Sequence, residues 1–388
     1  MDRITEYCTG CRACEQLCAH HVIEMKPDKE GFLSAYINRD KCVDCGLCQN
    51  RCPQNALIQK SKPLMSFAVR DKNTEELKVS ASGGAFAAAA RVILQRGGVI
   101  VGAAYHDDMT VGHFVVDRLE DLHKVQSSKY VQSNTEATYS QVKALLINGR
   151  EVLYSSTPCQ IGGLRAYLRK DYDTLYTMDL ICHGVASPKL FAKYLVWLGG
   201  KMKGKIIGYD FRDKSCGWGL DYMTKTKTKT KTIEGSCDPY YSSFLKCETF
   251  RESCYSCPFA NSRRISDITI GDFWGIEKYY PEIKKQNGVS CILINSTKGK
   301  ELFDSVNEEF EYTNCKIEEV QDANTNLRQP APRGKFRDEV YKEIDGDIRE
   351  YFKKFKYPSI IKVRGRVLIS KLIPKSVKKL LKKIMRIG

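Results

Sequence analysis

Two runs of four cysteines share one spacing, and no other feature limits the fold of this chain as much. Cys8, Cys11, Cys14 and Cys18 recur as Cys42, Cys45, Cys48 and Cys52, 34 residues further on, with Pro53 behind the second run. A loop of C-x2-C-x2-C wraps three thiolates around one cubane iron–sulfur cluster. The next cysteine, after three intervening residues, starts the next helical turn and points at the other cluster. The ligand sets therefore exchange: Cys8, Cys11, Cys14 and Cys52 for one cluster, Cys42, Cys45, Cys48 and Cys18 for the second. Zinc asks for four-ligand sets of paired cysteines, which triplets at this spacing fit poorly, and disulfides belong to oxidising compartments.

Residues 1 to 60 resemble the bacterial two-cluster ferredoxins, which implies a small α+β domain. The first run ends Cys18-Ala19 where that family usually has proline, leaving the local turn less constrained. Such a module moves single electrons and has no substrate chemistry, so the remaining chain must hold what it feeds or drains. At 388 residues with 42% hydrophobic content, there is room for two or three domains with sizeable cores. The start MDRITEYC lacks a signal peptide's apolar stretch, and no run approaches 18 apolar residues. With 17 cysteines, a reducing, cytoplasmic setting is expected, the thiols serving metal or chemistry. The net charge of +16 is concentrated in a tail: Ile361 to Gly388 holds ten Lys or Arg and no Asp or Glu.

Lys60 to Pro63 reads as a polar linker. An alanine-rich helix follows Ser82-Gly83-Gly84; free N–H groups and the helix dipole there suit a cofactor phosphate, while a plain glycine cap explains the same residues. Strands are expected at Gly98–Tyr105 and Gly112–Asp117, then a helix at Thr135–Asn148. Two strand–loop–helix units come next: Glu151–Ser155 with helix Ile161–Lys170, and Leu175–Ile181 with helix Pro188–Leu198. That alternation predicts an α/β domain with a largely parallel sheet. Cys159 and Cys182 each stand just after a strand, at the sheet edge where ligands bind. The Thr/Lys alternation from Thr224 to Thr232 predicts an exposed edge strand. Cys254-x2-Cys257 precedes further strands at Ser266–Phe273 and Gly288–Asn295 and a helix at Lys298–Val306.

Ser82-Gly83-Gly84, Ser128-Lys129-Tyr130, Thr157-Pro158-Cys159-Gln160, Asp179 to Gly184, Phe211 to Lys214, and Cys254-x2-Cys257 leading to Trp274 form an ordered set. Over residues 65 to 335 the chain resembles the coenzyme F-420 hydrogenase or dehydrogenase beta subunits; with its ferredoxin it is similar to bacterial members associated with surface polysaccharide biosynthesis. The resemblance implies an FAD-binding domain with its own 4Fe-4S cluster. It implies Ser82, Gly83, Gly84, Ser128, Lys129, Tyr130 and Thr157 as flavin contacts. Cys159, Cys182, Cys254 and Cys257 are the expected ligands of the third cluster, with Cys247 as the rival fourth. His183, beside a ligand, is the candidate proton donor.

The expected function is an iron–sulfur flavoprotein oxidoreductase with three 4Fe-4S clusters and FAD; the alternative is an electron relay that reduces a partner protein without substrate chemistry. The partner is a redox protein or a small-molecule acceptor, not nucleic acid. Residues 336–388 form a basic extension. Within it, residues 375–388 read as a basic amphipathic helix, resting on the anionic inner face of the cell membrane or docked on the domain.

Overall fold

The computed structural model describes residues 2–55, 58–215 and 217–354. At the N-terminus, β1 (Asp2–Arg3), β2 (Ile23–Pro27) and β3 (Leu33–Ile37) form an antiparallel sheet in the order β1-β3-β2. Ile23, Met25, Ala35 and Ile37 close a small core around Val22 and Cys8. Helices α1 (Ala13–Leu17) and α2 (Leu47–Asn50) each follow one cysteine loop.

The rest of the chain supplies β4 (Met65–Asp71), α3 (Thr74–Val79), α4 (Ala85–Gln95), β5 (Val99–Tyr105), β6 (Val111–Val116), α5 (Leu122–Val125), α6 (Thr138–Ile147), β7 (Val152–Ser156), α7 (Pro158–Leu168), β8 (Leu175–Leu180) and α8 (Pro188–Met202). It continues with β9 (Gly208–Asp210), β10 (Asp221–Lys225), β11 (Thr230–Glu234), α9 (Pro239–Leu245), β12 (Ile268–Asp272), β13 (Ser290–Ile294), α10 (Thr297–Val306) and β14 (Phe310–Asn314). Eight of these strands make one sheet, ordered β14-β4-β13-β12-β8-β7-β5-β6. Its centre, β12-β8-β7-β5, is parallel, and every residue of β7 is buried, as strands covered on both faces must be.

The flanks are antiparallel, so the sheet is mixed where a largely parallel one is expected. The reason is connection length: β5 reaches β6 through residues 106–110, too short for a crossover helix. The Thr/Lys run also departs from the single edge strand. It folds back on itself, Thr224 pairing with Lys231 in a β10–β11 hairpin closed by the Thr226 N–H on the Lys229 carbonyl (2.8 Å). Thr224 and Thr226 face inward while Lys225, Lys227, Lys229 and Lys231 stay in solvent.

The linker is pinned rather than free, since Ser61 exchanges two backbone bonds of 2.8 Å with Arg264. Short helices at Arg337–Lys342 and Ile348–Lys354 close the described chain. Val340, Tyr341, Tyr351 and Phe352 enter an aromatic core shared with α8, and Arg337 reaches Glu30 of the N-terminal domain at 2.8 and 2.6 Å. The run from 375 to 388 lies outside the described residues. No described helix is long and apolar enough to cross a membrane.

Candidate redox centre

The two cysteine loops share a backbone shape. Gly10 and Asp44 take the left-handed conformation (φ 71° and 50°), as do Arg12 and Gly46 two residues later (62° and 69°). In each loop the first of these turns an N–H onto the leading sulfur, Gly10 onto Cys8 and Asp44 onto Cys42, both at 3.4 Å. Burial pushes the Cys14 thiol well above its ordinary value, and the charges of Cys11, Cys8, Cys52 and Cys48 push it further. Burial also raises Cys52, which in turn feels Cys8. Cys8, Cys11, Cys14 and Cys52 are thus brought together. Cys48, raised by burial, feels Cys42 and Cys45, and Cys18 borders the same small core as Cys42 and Cys48.

A third group forms at the ends of the parallel strands. Cys159 opens α7 after β7, and Cys182 follows β8. Burial raises Cys182 well above the thiol range, followed by the charges of Cys254, Cys159 and Cys257. Burial takes Cys254 to about 12 and Cys257 to about 11, each also raised by Cys159. Four half-buried, desolvated thiols this close resist ionising together unless a polycation sits among them, which is the environment a four-iron core supplies. Cys247 stands elsewhere. Its sulfur lies 3.6 Å from His183 Nε2, and burial with Glu248 raises it to about 11. Among the described residues no three His, Cys, Asp or Glu side chains close on a single metal ion; the thiolates of a cubane ring a wider core.

Beside this group the strand ends enclose a cavity of about 420 Å³, within the range of small-molecule sites. Ser82, Gly84, Ser128, Lys129, Tyr130, Thr157, Cys182 and His183 all line it. So do Ala85, Phe86 and Ala87, the first turn of the eleven-residue α4, whose N–H groups lack helical acceptors. Gly83 turns away. Its N–H is taken by Ser290 Oγ (2.8 Å), and a Cβ there would stand 2.3 Å from Ser290 N. Lys129 caps carbonyls of the α5 end, including that of Gln126, and burial lowers it to about 8. Thr157 donates to Gln160 Oε1 (2.9 Å), and His183 Nδ1 meets Asn326 Oδ1 at 3.1 Å.

Other wall residues carry no role in the sequence reading. Arg212 forks onto Asp272 at 2.7 and 2.9 Å, beneath stacked Trp218 and Trp274. His113 meets Ser156 Oγ at 2.9 Å, and burial lowers it to about 4. Behind the wall, Lys214 binds the carbonyls of Leu77, Ser82 and Asn287, and burial followed by Arg212 lowers it to about 7. Arg212 and Lys214 stand in the stretch Phe211 to Lys214 that carries the resemblance; their partners, distant in sequence, show what they do.

Residues 149–320 match the profile of the C terminus of the coenzyme F420 hydrogenase/dehydrogenase beta subunit, and residues 7–56 match a 4Fe-4S dicluster domain. Among solved structures, a chain of the F420-reducing NiFe hydrogenase complex from Methanosarcina barkeri, in a xenon derivatization, is similar at 17% identity. The TM-score is 0.45, over 76% of this chain and 92% of that one. With cysteine loops of one shape at its start, the chain joins a 4Fe-4S dicluster domain to a domain that matches the C terminus of the coenzyme F420 hydrogenase/dehydrogenase beta subunit.

Proposed function

We propose that the chain is an iron–sulfur flavoprotein oxidoreductase, moving electrons between three 4Fe-4S clusters and a two-electron donor or acceptor at an FAD held in the cavity. The observation that carries this reading is the position of the third cysteine group. On one side, the Cys11 thiol, raised by burial to about 12, feels the charge of Cys159; on the other, Cys182 is part of the cavity wall. In this reading Cys8, Cys11, Cys14 and Cys52 hold the inner ferredoxin cluster, Cys42, Cys45, Cys48 and Cys18 the outer one, and Cys159, Cys182, Cys254 and Cys257 the third. Ser82, Gly84 and the first turn of α4 receive the flavin phosphates; Ser128, Lys129, Tyr130 and Thr157 flank them. A flavin, when bound, supplies the exchange between one-electron and two-electron chemistry. His183 is the candidate proton carrier, held between Asn326 and Cys247.

The domains proposed are 1–60, 65–335 and 336–388. A cavity of this size beside the third group supports substrate chemistry over a bare relay. Anaerobic purification should give about 12 iron and 12 sulfide per chain with flavin absorbance, and the double change Cys254→Ser with Cys257→Ser should remove about four of each. Unchanged iron in that variant refutes the third cluster. Ser82→Glu places a carboxylate where the cavity meets the α4 turn, so full flavin retention would move the phosphates elsewhere. The tail predicts partial sedimentation with anionic vesicles at low salt, lost on deleting 375–388 with the clusters kept; equal sedimentation of both forms refutes it.

A further inference from the structure

Five arginines are buried among the described residues, and four of them hold a carboxylate: Arg91 with Asp71, Arg212 with Asp272, Arg264 with Asp179 and Arg337 with Glu30. Arg251, only 3% exposed, is the fifth. Its Nη2 donates to the Leu33 carbonyl and Ser34 Oγ, both at 2.7 Å, and its plane lies over the Phe32 ring at 5.3 Å. Its Nη1, fully buried, has no hydrogen-bond partner among the described atoms. A buried guanidinium left this way asks for an anion.

The place shows which anion. Nη1 stands 2.9 Å from where a Cβ on Gly10 would lie, inside the Cys8–Cys11 loop. At the far end of that loop Cys11 packs against Gly163, one helical turn along α7 from Cys159. The Arg251 backbone is fixed at both ends, its N–H on the Val185 carbonyl (3.0 Å) and its carbonyl accepting from the Cys254 N–H (2.9 Å).

We propose that Arg251 is the built-in counter-ion of the third cluster, donating from Nη1 to sulfur in the gap between that cluster and the inner ferredoxin cluster, and that it raises the third cluster's reduction potential. The inference rests on the third-cluster reading above. A thiolate-bound cubane is anionic and gains one more negative charge on reduction, so a fixed cation favours the reduced form. One electron then leaves the ferredoxin side, which is oxidised, and reduces the third centre; no bond and no proton changes hands.

The test is a redox titration followed by electron paramagnetic resonance on the full chain, purified anaerobically. The third-cluster signal is the one that Cys257→Ser removes. In Arg251→Met that signal's reduced form should weaken tenfold or more, which is about 59 mV for a one-electron couple. Arg251→Lys, which keeps the charge, should move it by less than threefold, and the signal that Cys45→Ser removes should stay in place. An unmoved midpoint in Arg251→Met with full iron overturns the proposal, as does an equal fall in the Lys and Met variants, which would make the effect one of packing. If Arg251→Met does not fold, Arg251→Gln keeps an amide donor for the Leu33 carbonyl and carries the same expectation. A wild-type chain holding about eight iron, with no signal that Cys257→Ser removes, refutes the third cluster itself and the inference with it.

Discussion

The two cysteine loops agree in spacing, in left-handed turns and in N–H to sulfur bonds, and they differ in surroundings. Cys8 and Cys11 are 8% exposed beneath α7 and Arg251, whereas Cys45 is open to solvent next to Val43, itself 58% exposed. A spacing repeat therefore builds two loops of one shape, and what packs against each sets its exposure; in the proposed function the buried loop is the relay and the open one the entrance.

The largest effect is expected at the inner loop. Cys11→Ala should cut electron delivery from an external reductant to the cavity by about 100-fold or more and lower stability by about 2–4 kcal/mol, since ligand loss removes folding energy. Cys45→Ala should lose the outer signal with a smaller drop in the unfolding midpoint. Stopped-flow reduction and urea unfolding compare the two; equal losses would mean that burial does not separate the loops.

Burial in the cavity wall also sets protonation. His113 is held at about 4 against an ordinary 6.5, so the unfolded chain binds the extra proton first as pH falls. Its contribution is intact above pH 6.5 and is lost as pH drops toward 4, by at most about 3 kcal/mol. His113→Gln should flatten that part of the curve in urea melts at pH 7 and pH 5; an identical slope would place the acid sensitivity elsewhere.

A subtler contrast lies in two glycines. A Cβ on Gly163 would stand 2.6 Å from Tyr139 Oη and 2.9 Å from Cys11 Cβ, so Gly163→Ala should cost about 1–3 kcal/mol by overpacking. At Gly46 a Cβ meets only Asn50 Nδ2, at 3.3 Å, and Gly46→Ala should cost about 1 kcal/mol for its left-handed backbone. Thermal unfolding that ranks them the other way would count against the close α7 contact. Smallest of all, Val43→Ser should leave iron content unchanged and stability within about 0.5 kcal/mol, while slowing reduction by a protein donor a few-fold; a clear loss of stability would show that this loop is packed after all.

Much of the central sheet was legible in the sequence. The apolar runs between glycine and proline punctuation place β5, β7, β8 and β13 within one or two residues of the structure. The spacing of the cysteines foretells the loops that the structure draws together. Strand direction at the sheet edges was not legible, because pairing of β4 with β13 and β14 joins segments more than 200 residues apart. The side to which Gly83 turns depends on Ser290, and the lack of a carboxylate at Arg251 among the described residues shows only once the partners of the other buried arginines are known. Both are properties of neighbours in space that one-dimensional periodicity does not carry.

Helix α7 bears Cys159 in its first turn and, four residues later on the same face, Gly163 pressed against Cys11. One helical turn, about 6 Å of rise, thus welds the ferredoxin to the domain it serves. A free ferredoxin must find its enzyme by diffusion, at a rate that salt governs; here the carrier is present at a permanently saturating effective concentration. If the proposed electron path is right, transfer through this junction should be indifferent to ionic strength, and salt should act only on a donor that meets the exposed Cys45 loop.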